Sequence, residues 1–266
     1  MSLDNEQWDK VISSDSRNGF SLKNISKYKD LIESLIKRGF VTYYKQTVLG
    51  PLWYIIQPLC SVVMYMFIFG NLANIGTDAI PQPLFYFSGV IIWTLFSSVI
   101  RDVSNVFFNN KSIFGKVYFP RIVVPIADVA ILLLKFLLQL VFLGLLYVFY
   151  AVKFGYANIT IWILLVPVIV MWVSILGLGL GLIVSSITTK YRDLALALDY
   201  FISLVMYASP IVYPLSQVSP KLRFILTLNP VSTPIEMFRY ALFGEGTISA
   251  FGLVYSIMLS AIILSV

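Results

Sequence analysis

The chain has 266 residues, 59% of them hydrophobic and only 12% charged, against ~45–50% and ~25% in an average soluble chain, which excludes a soluble globular domain. With no histidine and a single cysteine, Cys60, no disulfide framework, Cys/His metal cluster or Ser-His-Asp triad can be built. There is no G-x-x-x-x-G-K-[ST] segment, so ATP-driven work would need an ATPase on another chain.

Charge is concentrated at the start. Residues 1–50 hold 8 of the 19 Lys/Arg and 6 of the 13 Asp/Glu. They lack the layout of a cleaved signal, because the first strongly apolar run begins only after Gly50. Tyr28, Leu31, Ile32, Leu35 and Ile36 recur at the spacing of one helical face. Lys27, Lys29, Asp30, Glu33, Ser34 and Lys37 fill the other face, and Gly39 suits the helix end. The spacing predicts an amphipathic helix near 27–38, lying in the cytoplasmic headgroup layer. A docking surface for a partner protein is the alternative.

The rest is dominated by uncharged runs long enough to cross a ~30 Å hydrocarbon core. They predict an all-α integral membrane protein: a cytoplasmic region over 1–50, then a membrane domain over 51–266 with spans at about 52–72, 84–107, 122–151, 159–187, 194–211 and 247–266. The second contains Arg101 and Asp102. Six spans put both termini on one side. Eight Lys/Arg before span one, Arg101, Lys111, Lys116 and Arg121 after span two, and Lys190 and Arg192 after span four make 14 on that side. Lys153, Lys221, Arg223 and Arg239 make 4 on the other, and Lys135 lies within a span. The positive-inside rule then places both termini in the cytoplasm.

Trp53 and Tyr54 fall at the cytoplasmic start of span one, and Phe85, Tyr86 and Phe87 at the outer start of span two. An interfacial aromatic belt is the default for such rings; a pore surface that lets a glycan slide is the alternative. In span three, Asp128 and Lys135 share nearly one helix face, ~10 Å apart along the axis. Intramembrane charges normally face the bundle interior. Lys135 could therefore meet a passing anionic group, or make a bundle contact with Asp199 or backbone carbonyls. Gly177, Gly179 and Gly181 in span four, continued by Ser185, form a small-residue stripe that signals helix packing.

Residues 209–246 contain Pro210, Pro214, Pro220, Pro230 and Pro234, which would break a crossing helix. Two short helices over 219–228 and 234–243 fit better. Thr233 as N-cap, Pro234 at N1 and Glu236 at N3 read as a capping box, so Glu236 is expected to be structural. Joined at Asn229-Pro230, the pieces predict a re-entrant outer hairpin over about 211–244 that borders an exit path.

Four blocks carry a family resemblance. The first is Tyr44-Lys45-Gln46-Thr47-Val48-Leu49-Gly50-Pro51-Leu52-Trp53, continuing to Gln57-Pro58-Leu59. The second is Lys116-Val117-Tyr118-Phe119-Pro120-Arg121 with Pro125, and the third Tyr191-Arg192-Asp193 after the glycine-rich span. The fourth is Ser209-Pro210-Ile211-Val212-Tyr213-Pro214, then Leu228-Asn229-Pro230 and Phe238-Arg239-Tyr240-Ala241-Leu242. In this order over residues 44–242, they resemble the ABC-2 permeases that export polysaccharides such as O-antigen and teichoic acid. The family's short charged cytoplasmic tail is missing after Val266, which leads us to expect a truncated or engineered end.

The resemblance implies a homodimeric half-transporter of the bacterial cytoplasmic (inner) membrane, working with two copies of a separate nucleotide-binding ATPase that carries the ATP and Mg. The implied cargo is a polyprenyl-diphosphate-linked polysaccharide. Coupling to the ATPase is expected at Lys37, Arg38, Asn109, Lys111, Lys116, Tyr118 and Arg121. A substrate path is expected along Tyr44, Lys45, Trp53, Tyr54, Lys135, Tyr213 and Arg239. The alternatives are an ABC-2 exporter of a drug or small lipid, a membrane enzyme acting on a polyprenyl-linked sugar, and a secondary transporter. The enzyme would need acid/base or metal-binding groups gathered at one membrane face, whereas Asp102, Asp128, Asp193 and Asp199 are scattered. The secondary transporter would need an inverted repeat with matching broken helices, which the sequence does not display.

Overall fold

The structure, a computed structural model, describes residues 28–45, 48–110, 119–158, 160–188 and 193–265. In chain order the helices are α1 (Lys29–Lys45), α2 (Trp53–Tyr65), α3 (Gln82–Ser104), α4 (Val106–Asn109), α5 (Val123–Phe154), α6 (Val166–Thr188), α7 (Asp193–Tyr207), α8 (Pro220–Thr227), α9 (Ser232–Phe243) and α10 (Ala250–Ser265). A 3₁₀ turn leads into α2, which widens into a π-helical stretch over Met66–Leu72. No strand occurs among the described residues.

Four helical stretches are long and apolar enough to cross a membrane: Gly50–Leu72, Gln82–Ser104, Val123–Phe154 and Ile161–Thr188. These match the first four expected spans. The last two expected spans fall on shorter helices, α7 with 15 residues and α10 with 16, of which α10 is the apolar one. At 1.5 Å per residue they reach only ~22 and ~24 Å.

α3 is the central helix, packed against α2, α5, α6 and α9. From residue 84 to 100 every residue is buried except Thr94 and Ser98. Phe85, Tyr86 and Phe87, expected in an interfacial belt, are 0–1% exposed. The correction has a physical reason: a helix that is apolar all round is the one enclosed by the others. The small-residue stripe of α6 makes that enclosure possible. A side-chain carbon on Gly177 would lie 3.0 Å from Val99, and one on Gly181 would lie 2.7 Å from Val103 and 3.3 Å from the Ile100 carbonyl oxygen. Gly181→Ile is therefore expected to destabilise the protein by about 1–3 kcal/mol through overpacking, measured as thermal unfolding in detergent; an unchanged midpoint would argue against the close approach.

α1 has the predicted apolar face, and much of that face packs on protein. Tyr28, Leu31, Ile32 and Leu35 pack on a cluster of Val106, Phe119, Val123 and Val124. Gly39 does not end the helix, which continues to Lys45. A side chain at Gly39 would collide with the Ile131 side chain of α5, so the glycine serves a close helix crossing.

The two short helices of the 209–246 segment are present as α8 and α9. The capping box is not. α9 begins at Ser232 without a side-chain cap, and Thr233 is buried in its first turn. Asn229 orders the turn instead: its side-chain oxygen accepts from the Val231 N–H (3.2 Å), while its amide donates to the Ala208 carbonyl (3.1 Å) and Ser209 Oγ (2.8 Å). Glu236 is engaged elsewhere, as described next.

Candidate functional site

Three places gather the polar residues that an apolar bundle can least easily accommodate. The first is the face built by α1. Lys37 and Arg38 lie on its exposed side. Lys37 pairs with Glu33 one turn away at 2.8 Å, and that hydrogen bond holds the Glu33 carboxyl below its ordinary range and raises the Lys37 ammonium. Asn109 ends α4 on the surface, and Arg121 is exposed just before α5. Because the α1 face shares its apolar cluster with Val106, Phe119 and Val123, the first coupling segment packs on the described residues that flank 111–118, distant from it in sequence. Lys111, Lys116 and Tyr118 lie outside the described residues.

The second is a cavity of about 320 Å³ between α2, α3 and α5. Lys135 and Tyr54 meet there, the ammonium 4.9 Å from the ring centroid. Gln139, one turn further along α5, donates to the Tyr54 carbonyl at 2.9 Å. Asp102 and Asp128 are both near enough to interact electrostatically with Lys135. Asp199 is not its partner: Arg101 takes it, with Nε 2.7 Å from the carboxylate, and so ties α3 to α7. Trp53 stands exposed at the start of α2. Tyr44 and Lys45 close α1, and their side chains lie outside the described set.

The third is a buried ion pair in α9. Arg239 is 1% exposed and Glu236 2%. From Nη1 the guanidinium donates to the Pro210 carbonyl (2.6 Å) and to Glu236 (3.1 Å). From Nη2 it donates to the carbonyls of Ile211 (2.9 Å) and Phe85 (3.4 Å), and it lies 3.6 Å above the Phe85 ring. Glu236 also accepts from the Thr247 N–H at 2.8 Å. In this fold Arg239, expected on the substrate path, is sealed in protein and clamps three segments together. Tyr213 nearby is half-buried and donates to the Tyr207 carbonyl at 3.1 Å.

Sequence reasoning passed over Gln139, and it read Glu236 as a cap. Opposite charges three residues apart in an otherwise apolar stretch were the available signal for the Glu236–Arg239 pair. Chemically, the arrangement offers a polar cleft within the bundle, with one ammonium, two nearby acidic side chains and amide groups, and a basic face on α1, joined through α5.

The sequence matches the ABC-2 type transporter family over residues 30–243. It is 29% identical over 228 residues to the O-antigen export system permease protein RfbA of Klebsiella pneumoniae, covering 85% of each chain. The protein of the same name from Myxococcus xanthus is 27% identical over 84% of each chain. The polysialic acid transport protein KpsM of Escherichia coli is 26% identical over 85% of this chain and 84% of its own.

Proposed function

Since the chain belongs to the ABC-2 type transporter family, we propose that it is the permease subunit of an exporter that moves a lipid-linked polysaccharide outward across the bacterial inner membrane. Two copies form the membrane part and two copies of a separate ATPase, carrying ATP and Mg, drive it. Both termini face the cytoplasm, α7 and α10 complete six crossings, and α8 and α9 form a re-entrant outer hairpin. Relatives named for O-antigen export and polysialic acid transport support a polysaccharide cargo. The carrying observation is the seating of α1 on the start of α5. A force applied to the basic face of α1 reaches Lys135 and Gln139 along one continuous helix. Coupling of this kind needs a rigid element that both sites bias.

The test reconstitutes the chain with its ATPase in inverted vesicles and follows lipid-linked glycan into the lumen. Glycan should accumulate only with ATP and both subunits present. Transport without the ATPase, or driven by a proton gradient alone, would overturn the proposal.

A further inference from the structure

The cavity between α2, α3 and α5 is lined by polar stripes that continue toward one end of the bundle. Each helix contributes one stripe. On α2 the stripe is Tyr54, Gln57 and Ser61, at i, i+3 and i+7; on α3 it is Asp102, Ser98 and Thr94, four residues apart; on α5 it is Asp128, Lys135 and Gln139. Such spacings place each set on a single helical face. Gln57, Ser61, Thr94, Ser98, Lys135 and Gln139 all line the cavity, and Asp102 and Asp128 are electrostatic neighbours of Lys135. Thr94 and Ser98 are also the two breaks in the buried run of α3.

All three stripes begin at the same end of the bundle: the first turn of α2, the last of α3 and the start of α5. Their ends are 7, 8 and 11 residue steps apart by their numbering, or ~10–16 Å, about half of a ~30 Å core. Beyond Thr94, α3 is buried without interruption to Leu84. The polar lining is therefore confined to one half of the bundle's depth.

We infer that this cleft is a sugar-binding site within each protomer, open to the cytoplasm, that takes one monosaccharide residue of the exported glycan. The inference rests on the proposed export function. Hydroxyls, amides, an ammonium and two nearby carboxylates mix donors with acceptors, as sugar hydroxyls require. A single ammonium already faced by two acidic side chains offers little net positive charge to hold an isolated phosphate or diphosphate. At about 320 Å³ the cavity stands at the small end of the ~300–1,000 Å³ range of ligand pockets, room for a single ring and not for a polymer.

The test uses the whole transporter in inverted vesicles with the exposed Cys60 replaced by Cys60→Ser. Thr94→Cys and, separately, Ser61→Cys on the opposite wall are exposed to a membrane-impermeant maleimide. Labelling is timed alone and with glucose, galactose, mannose, N-acetylglucosamine, glycerol or inorganic phosphate. The cleft predicts labelling of both cysteines, slowed several-fold by at least one of the sugars and unaffected by glycerol or phosphate. Ser61→Cys carries the measurement if Thr94→Cys fails to insert. Absence of labelling, labelling that no sugar slows, or protection by phosphate as strong as by sugar overturns the inference. Glycan export by the Cys60→Ser transporter is read on the same vesicles. Export without sugar protection removes the cleft site alone, whereas absence of export removes the function on which it rests.

Discussion

Arg239→Ala is expected to destabilise the folded chain by about 3–5 kcal/mol, the cost of breaking a buried ion pair from one side. The substitution strands the Glu236 carboxylate, which is 2% exposed and keeps only the Thr247 N–H. It also removes the donors to the carbonyls of Pro210, Ile211 and Phe85, so three chain segments lose their common anchor. Arg239→Lys should recover only part of the loss, since an ammonium cannot reproduce the planar fork or its stacking on Phe85. Arg239→Met combined with Glu236→Met should unfold at a higher temperature than Arg239→Ala, because no buried charge is left without a partner. The measurement is the thermal midpoint of purified protein in detergent, with helix content followed by circular dichroism. An Arg239→Ala midpoint equal to that of the parent would show that the clamp contributes nothing.

The pair also shows which features a sequence can reveal. The first four spans, the apolar face of α1 and the packing role of Gly177 and Gly181 depend on length and periodicity within one segment. Those properties were legible. The errors arise where distant segments compete for the same residue. Gly39 looks like a stop because glycine disfavours helix, yet the crossing with Ile131 demands it inside α1. Thr233 and Glu236 have the spacing of a capping box, but Arg239 engages the carboxylate and Asn229 orders the turn. Phe85, Tyr86 and Phe87 would read alike in a belt or in a core; only the packing of four helices around α3 decides for the core. Among the expected path residues, Tyr54 and Lys135 are brought together, because their helices meet. Arg239 is drawn away from any open surface by carbonyls of the Pro210 and Phe85 segments that no local pattern announces.

Gly39→Leu is expected to leave the membrane helices folded and to uncouple ATP hydrolysis from export. A side-chain carbon alone would collide with the tip of Ile131, a flexible group that can turn aside, so Gly39→Ala should have a small effect. Four heavy atoms cannot be absorbed in that way, and α1 must lift from α5 or tilt. Its cluster with Val106, Phe119 and Val123 then opens at the junction through which the ATPase would act on α5. Coupling free energies between distant sites are ~1–3 kcal/mol, or ~5–150-fold, so glycan exported per ATP should fall within that range. The central bundle lies away from this crossing, and its thermal midpoint should stay near the parent value, unlike that of Gly181→Ile. Lys37→Ala serves as a second control for stability alone. It removes a solvent-exposed pair with Glu33 without touching the apolar seam, and exposed pairs contribute little to stability. If Gly39→Leu exports as much glycan per ATP as the parent, the contact between α1 and α5 is not the route by which force enters the membrane.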